Sequence, residues 1–435
     1  MRRNTHPRAL KAERLKTKTY IFANGMESNS QFQGIKMHGP LKEISNNSLV
    51  CFMYLSKDKY LSYELYHALE GKNFATFDGM ESMFSFSLGK EHVTGIPIQG
   101  YDENNIELSI EKLISAADDR PVLPLILFPW SRTKPNNEGR DTYFRIKHQF
   151  LKKRIPIQFV SLERMRDRDG LKWSIANIAL AVFGKLGGQP WKLLPKHQRC
   201  LIIGIGQAHQ KSEDGEIKRY FAYSVLSDSS GLYDSIRILA KSGDKNRYLS
   251  NLSKRLKEVL KDLSEDYERF VIHTPFKLRN DEMLAIKRAL KDFDKENKSD
   301  ITLVVLKFNE KSKHFGFDLN NNSKVPFESS CVDLGKGEYL VWFEGLQYHN
   351  PTVRRRFSRP MHIEFCYHNH NTAREEEISF LQDAINLSGA NWRGFNAKSF
   401  PVSIYYSKII ADFIGEFDRL KLSEIDIEKL PPWFL

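Results

Sequence analysis

Cysteine is scarce and scattered in this sequence, standing only at positions 51, 200, 331 and 366 of 435 residues. No CxxC pair occurs, which argues against a disulfide-stapled fold and against a structural zinc site built on paired thiolates. Thiols left unpaired in this way point to a reducing, intracellular compartment. Long apolar runs are absent too: none approaches the ~18 residues that a membrane span requires. The first 18 residues are basic, like the leading region of a signal peptide, but no apolar segment follows them. There is no fixed-period repeat, and low complexity is confined to NNNSK at 320–324, which excludes solenoid and disordered architectures. Negative charge is in deficit. Lys plus Arg total 66 against 54 for Asp plus Glu, a formal charge of +12, which favours a polyanionic partner, nucleic acid ahead of an anionic membrane surface. A soluble protein that is simply basic has the same balance.

What is present is a globular composition, 41% hydrophobic and 12% aromatic, in a chain long enough for two or three domains at ~150 residues each. The first 36 residues read as a polar arm leading into extended structure around Tyr20–Ala23. Beyond them LVCFMYL (49–55), VLPLILF (122–128) and IQFV (157–160) read as buried strands. Residues 141–154 and 171–186 carry helical spacing, the second stretch closed by Gly187-Gly188. Strands alternating with helices predict an α/β domain on a parallel sheet, ending near Pro195. The second half repeats the pattern. Strands are expected at 200–206, 220–228, 270–273, 301–308, 337–343 and 361–368, and helices at 247–263, 281–295 and 405–418. CLIIGIG and YFAYSVLSD are expected to pair as a hairpin. The fold class is therefore α/β, in two domains spanning 37–195 and 196–435.

Several residue groups carry chemistry. Tyr143 and Lys147, four apart on a helix, share a face. With Gln158 on the next strand and Asn177 and Lys185 on the next helix, they make two ammonium groups, two amides and a ring, suited to a terminal phosphate with a base stacked beside it. Ordinary surface lysines explain the spacing equally well. Trp433-Phe434-Leu435 is apolar where chain ends usually fray, which predicts that the end docks and fixes its carboxylate; beside a phosphate, that carboxylate would require a bridging cation such as Mg²⁺. Arg354, Arg355, Arg356 and Arg359 place four guanidinium forks within six residues, a run that can track a phosphodiester backbone or remain a solvated loop. His362, Glu364, Cys366, His368 and His370 alternate, so a continuous strand would show all five on one face. At ~6.6 Å between alternate residues they are too far apart to share one metal. One further absence matters most. A two-metal nuclease of RNase H type needs carboxylates at adjoining strand ends, yet LIIGIG ends at Gly206-Gln207 and FVIH runs into Thr274-Pro275.

Taken together, FVSLERM (159–165), NIALAVFGKLGGQPWKL (177–193), LIIGIG, FVIHTPFKLRNDE (270–282), GEYLVWFEG (337–345) and NWRGFNAKSFPVSIYYSKIIADFI (391–414) resemble the MID and PIWI domains of Argonaute proteins. The resemblance runs from about residue 37 to Leu435. It leaves no room for N-terminal and PAZ domains, as in the short prokaryotic Argonautes. It implies a Rossmann-like MID domain that anchors a guide strand's 5′-phosphate, followed by an RNase H-like PIWI domain. Tyr143 matches the ring that stacks on the first guide base, and Lys147, Gln158, Asn177 and Lys185 match the phosphate-binding positions. Leu435, through its carboxylate, and Gln158 match a Mg²⁺ site beside that phosphate. Arg393 joins the arginine run as an expected backbone contact. Slicing members carry an acidic tetrad. Three of its positions fall here on Gly206, Pro275 (at Thr274-Pro275) and the vicinity of Lys408, which implies a target that is bound and not cut. The resemblance further implies a guide RNA, a single-stranded DNA target, and a separate APAZ-containing effector (TIR, sirtuin-like or nuclease) acting against phage or plasmids in the prokaryotic cytoplasm. A guide-dependent PIWI nuclease, and a self-sufficient homodimer that silences by occupancy, are the competing expectations.

Overall fold

The computed structural model describes residues 11–130, 137–211, 217–297, 300–320, 322–346, 359–370, 373–428 and 430–435. Its first sheet has four parallel strands in the order Val93–Ile98, Leu49–Leu55, Val122–Phe128, Gln158–Ser161. LVCFMYL is continuously apolar because both of its faces are covered. Cys51 and Met53 point into a cluster with Ile106, Ile110, Ile146 and Phe150 from the helices Glu103–Ala117 and Asn137–Lys152. Val50, Phe52 and Tyr54 point the other way, into a larger cluster with Leu61, Leu65, Ile175 and Ala179 from the helices Lys59–Leu69 and Arg168–Lys185. The latter helix begins where Asp167 accepts the Gly170 N–H at 2.9 Å, an N-cap that satisfies one orphan donor of the first turn.

The second sheet has nine strands, in the order Ala12–Arg14, Ser330–Gly335, Glu338–Val341, Met361–His368, Thr302–Asn309, Arg269–Thr274, Cys200–Lys211, Ile217–Asp228, Tyr233–Ser242. Arg269–Thr274 is parallel to both of its neighbours, and Cys200–Lys211 and Ile217–Asp228 form the expected antiparallel pair. The helices Lys245–Leu263 and Asn280–Glu296 cover one face through Leu201, Ile203 and Ile205. On the other face the helix Val402–Arg419 lies directly on the strand Cys200–Lys211. A Cβ at Gly204 would lie 2.2 Å from the Ser403 carbonyl oxygen, and one at Gly206 would lie 2.2 Å from that of Ser407. Only glycine permits that approach.

The first 36 residues, read as an arm, contribute Ala12–Arg14 to the large sheet and Tyr20–Ile21 to a small sheet with Glu27–Ser28 and Lys192–Leu193. At the other end Trp433, Phe434 and Leu435 are buried in the largest core cluster. One expectation is corrected. Residues 362–370 do not present one continuous face, because the pairing with Thr302–Asn309 shifts register between Val305 and Leu306, leaving Cys366 as a bulge. His362 pairs with Glu338 at 3.0 Å and Glu364 with Lys307 at 2.8 Å. Among the described residues, no helix is long and apolar enough to cross a membrane.

Candidate functional site

A cleft of about 1290 Å³ opens where the Asn137–Lys152 helix, the Gln158–Ser161 strand, the Arg168–Lys185 helix, the Val402–Arg419 helix and the chain end meet. Tyr143, Lys147, Gln158, Lys185, Arg393 and Leu435 all line it. The helix and strand periods explain how. Tyr143 and Lys147 are one turn apart on one wall, while Gln158 begins the edge strand opposite the C-terminal turn that carries Lys185.

Both lysines are almost fully buried, 2% and 3% exposed. Lys147 donates to the Trp433 carbonyl at 2.9 Å, and its ammonium lies 5.1 Å from the centre of the Phe413 ring. Lys185 donates to the Ile157 carbonyl at 3.0 Å and to Gln158 Oε1 at 2.6 Å. Two fixed ammonium groups in a partly desolvated cleft attract an anion far more strongly than the same groups in water. Tyr143 is half-buried, 4.5 Å between ring centres from Phe159 and nearly parallel to Phe413 at 6.2 Å. The adjoining aromatics hold its ring in place.

Carboxylates near the cleft are largely neutralised by neighbours. Glu416 accepts from Arg140 at 2.6 Å and from Arg419 at 2.9 Å, Asp141 pairs with Arg419, and Asp167 with Arg164 at 3.2 Å. Burial raises the pKa of Asp412 above its ordinary value, with Lys408 working against the shift.

Asn177 is placed differently from the other phosphate-binding candidates. Its amide oxygen accepts the Phe395 N–H at 3.0 Å, so it holds the loop that carries Arg393 into the cleft. Sequence reasoning missed Arg140 and Arg164, which also line the cleft. Arg140 stands three residues before Tyr143, a helical neighbour that the spacing could have flagged. Arg354, Arg355 and Arg356 lie outside the described residues, and Arg359 is exposed.

The donors available to a divalent cation are the Gln158 amide oxygen and the Leu435 carboxylate. Both are hard oxygen ligands of the kind Mg²⁺ takes alongside phosphate oxygens and water. The Gln158 oxygen already accepts from Lys185, so a cation there would share it. Among the described residues no group of three His, Cys, Asp or Glu side chains could hold a metal.

The three positions read as degenerate lie on adjacent elements, two strands of the large sheet and the helix packed on it. His273 pairs with Gly204 across the parallel strands, and Pro275 follows just past the strand's end at Thr274. Gly206 abuts Ser407, the residue before Lys408. The Lys408 ammonium reaches Glu310 at 2.5 Å, just past the end of the neighbouring strand Thr302–Asn309.

The Piwi domain model matches residues 135–419, well over half the chain. A "Piwi protein" of Archaeoglobus fulgidus is 26% identical over 318 residues, 67% of this chain and 71% of its own length. A "Protein argonaute" of Cereibacter sphaeroides is 21% identical over 402 residues, 82% of this chain and 51% of its own. Clostridium butyricum Argonaute, solved bound to a guide DNA (5′ deoxycytidine) and a 19-mer target DNA, matches with a TM-score of 0.71 at 16% identity, over 97% of this chain and 55% of that one. Drosophila Piwi matches with a TM-score of 0.70 at 15% identity, over 98% and 56%. The chain thus spans about half the length of the bacterial argonaute and of these two structures. The fold is Argonaute-like, its nine-stranded sheet consistent with an RNase H-like PIWI domain.

Proposed function

The chain belongs to the Piwi family, and on that premise we propose that it is the guide-directed recognition subunit of a prokaryotic immune system against phage or plasmids. It binds a 5′-phosphorylated guide, RNA in this reading, and a complementary single-stranded DNA target. It does not cut that target. It activates a separate APAZ-containing effector. One observation carries the reading: residues from 143 to 435 that could each be ordinary surface or core positions meet in one cleft with two buried ammonium groups and a buttressed tyrosine.

In that cleft the guide's terminal phosphate accepts from Lys147 and Lys185, and its first base stacks on Tyr143. Arg393, held by the Asn177-anchored loop, meets a following phosphate. The Leu435 carboxylate and Gln158 would hold a Mg²⁺ ion, which would offset the repulsion between phosphate and carboxylate. Base pairing supplies the specificity, while the protein reads backbone and shape. The non-cutting mode is supported by Gly206, Pro275 and Lys408, since a glycine, a proline ring and a cation supply no carboxylate to cage two metals.

The test is direct. The purified chain is given guides bearing 5′-phosphate or 5′-hydroxyl with Mg²⁺, then complementary target. Phosphate-dependent binding without cleavage is the expected result. Cleavage would make the chain a nuclease; equal binding of both guides would remove the phosphate pocket.

A further inference from the structure

An acid stands in the wall of a cleft whose buried charges are lysines. Glu416 lines the cleft, its side chain only 13% exposed, and two arginines hold it. Arg140 donates through Nη2 to Oε1 at 2.6 Å. Arg419 donates through Nε to Oε2 at 3.0 Å and has its Nη2 2.9 Å from the same oxygen. That Nη2 also meets Asp141. Arg140 and Asp141 belong to the helix Asn137–Lys152, and Glu416 and Arg419 to the helix Val402–Arg419. Each helix thus supplies one cation and one anion, and the four charges cancel.

The helical period sets this group beside the aromatic layer of the cleft. Arg140 stands one turn before Tyr143, and Glu416 one turn after Phe413, the ring nearly parallel to Tyr143. Lys147 stands one turn from Tyr143 in the other direction, its ammonium 5.1 Å from the Phe413 ring centre. The Tyr143–Phe413 layer therefore has buried Lys147 on one side and the half-exposed Arg140 and Arg419 on the other. A strand anchored by its terminal phosphate at the buried lysines must leave the cleft past an open side. The arginine pair stands at one.

Resting on the guide reading above, we propose that Arg140 and Arg419 form a phosphodiester subsite, and that Glu416 fills it as a built-in competitor until a strand displaces it. A guanidinium fork takes carboxylate and phosphate oxygens with the same geometry, so one anion can replace the other on the same two arginines. Ion pairs whose cations are half-exposed contribute little to stability, so the exchange costs the fold little. Without a strand, the carboxylate keeps the two guanidinium groups neutralised and in place; with one, they pass to the phosphate.

The experiment is a mutant cycle on the full chain: wild type, E416Q, R140Q/R419Q and R140Q/E416Q/R419Q, each titrated with a 5′-hydroxyl oligothymidylate. E416Q should bind the strand about three- to tenfold more tightly than wild type, the weight of a charge-assisted contact discounted for exposure. R140Q/R419Q should bind more weakly than wild type. The gain from E416Q should be larger with the arginines present than without them, where only relief of repulsion is left. E416Q binding no tighter than wild type would overturn the proposal, and so would a gain as large or larger without the arginines, the mark of a simple charge effect. If E416Q does not fold, E416D keeps the charge but draws it back by one methylene, and should show a smaller gain with the same dependence on the arginines. Because the strand lacks a 5′-phosphate, these results do not depend on Lys147 and Lys185. A parallel titration with the 5′-phosphorylated strand that shows no phosphate dependence would remove the terminal-phosphate pocket alone.

Discussion

At the scale of single residues, the proposed phosphate pocket rests on Lys147 and Lys185. A charge-assisted hydrogen bond contributes ~1.5–3 kcal/mol, so Lys147→Ala with Lys185→Ala should weaken 5′-phosphorylated guide binding by about a hundredfold or more. Binding of a 5′-hydroxyl guide should change far less. Titration of both guides against both proteins checks this, and equal losses would remove the pocket assignment. Gly206 makes a different kind of prediction. Restoring an acid by Gly206→Asp should not restore cleavage, because the new Cβ would meet the Ser407 carbonyl oxygen at 2.2 Å. Overpacking of that kind costs ~1–3 kcal/mol, and a lowered melting temperature with no product from guide and target is the expected outcome. Of the residues singled out from sequence, Tyr143 and Lys147 were legible as a pair because a helix of 3.6 residues per turn brings i and i+4 together. The role of Asn177 was not legible, since its partner Phe395 is 218 residues away.

Among elements, the Val402–Arg419 helix and the tail after it link the two sheets. Trp433 is fully buried, its carbonyl holds Lys147, and its ring packs against Phe413 on that helix. Removing Trp433–Leu435 should therefore lower both stability and guide affinity. Removing Leu435 alone leaves Trp433 in place and shifts the carboxylate back by one residue; it should reduce guide affinity several-fold and abolish Mg²⁺ stimulation, with a lower melting temperature from the lost buried leucine. Unchanged Mg²⁺ dependence would place the cation elsewhere. The same helix meets the strand Arg269–Thr274 at His273, whose Nδ1 lies 2.8 Å from Ser403 Oγ. Complete burial pushes the His273 pKa down to about 3. In the unfolded chain this histidine protonates below ~6.5, while in the fold it stays neutral. Stability is therefore undiminished above pH 6.5 and falls as the pH drops below it, by about 1 kcal/mol per unit from this group. His273→Gln should flatten the melting profile between pH 6 and about 4, and an unchanged slope would show that other groups dominate acid unfolding.

Across the whole molecule, the legible parts were those with dense apolar runs. The strands at 49–55 and 122–128 match their observed bounds, because parallel strands buried on both faces leave no polar alternation to misread. Val93–Ile98 was missed, with Gly95 and Pro97 breaking the run, and so was Ala12–Arg14, a three-residue edge strand with every side chain exposed. The site was harder to read than the fold. Its residues belong to elements spread between 143 and 435; local spacing paired only Tyr143 with Lys147, and the family resemblance gave the rest their expected roles. That distribution leads to a prediction about salt. The chain carries +12 overall, and phosphate contacts on the open surface release counterions, with a slope of ~−0.7 per contact on a single strand. Guide affinity should therefore fall steeply with salt, with log–log slope beyond about −2 if at least three such contacts form. The two lysines of the cleft are buried, where screening acts weakly, so their share should survive. The ratio of 5′-phosphate to 5′-hydroxyl affinity should then stay nearly constant as the total declines. Titrations of both guides across a salt series separate the two contributions: a flat total would remove the basic surface, and a ratio that collapses with the total would move the lysines' contribution out of the buried cleft.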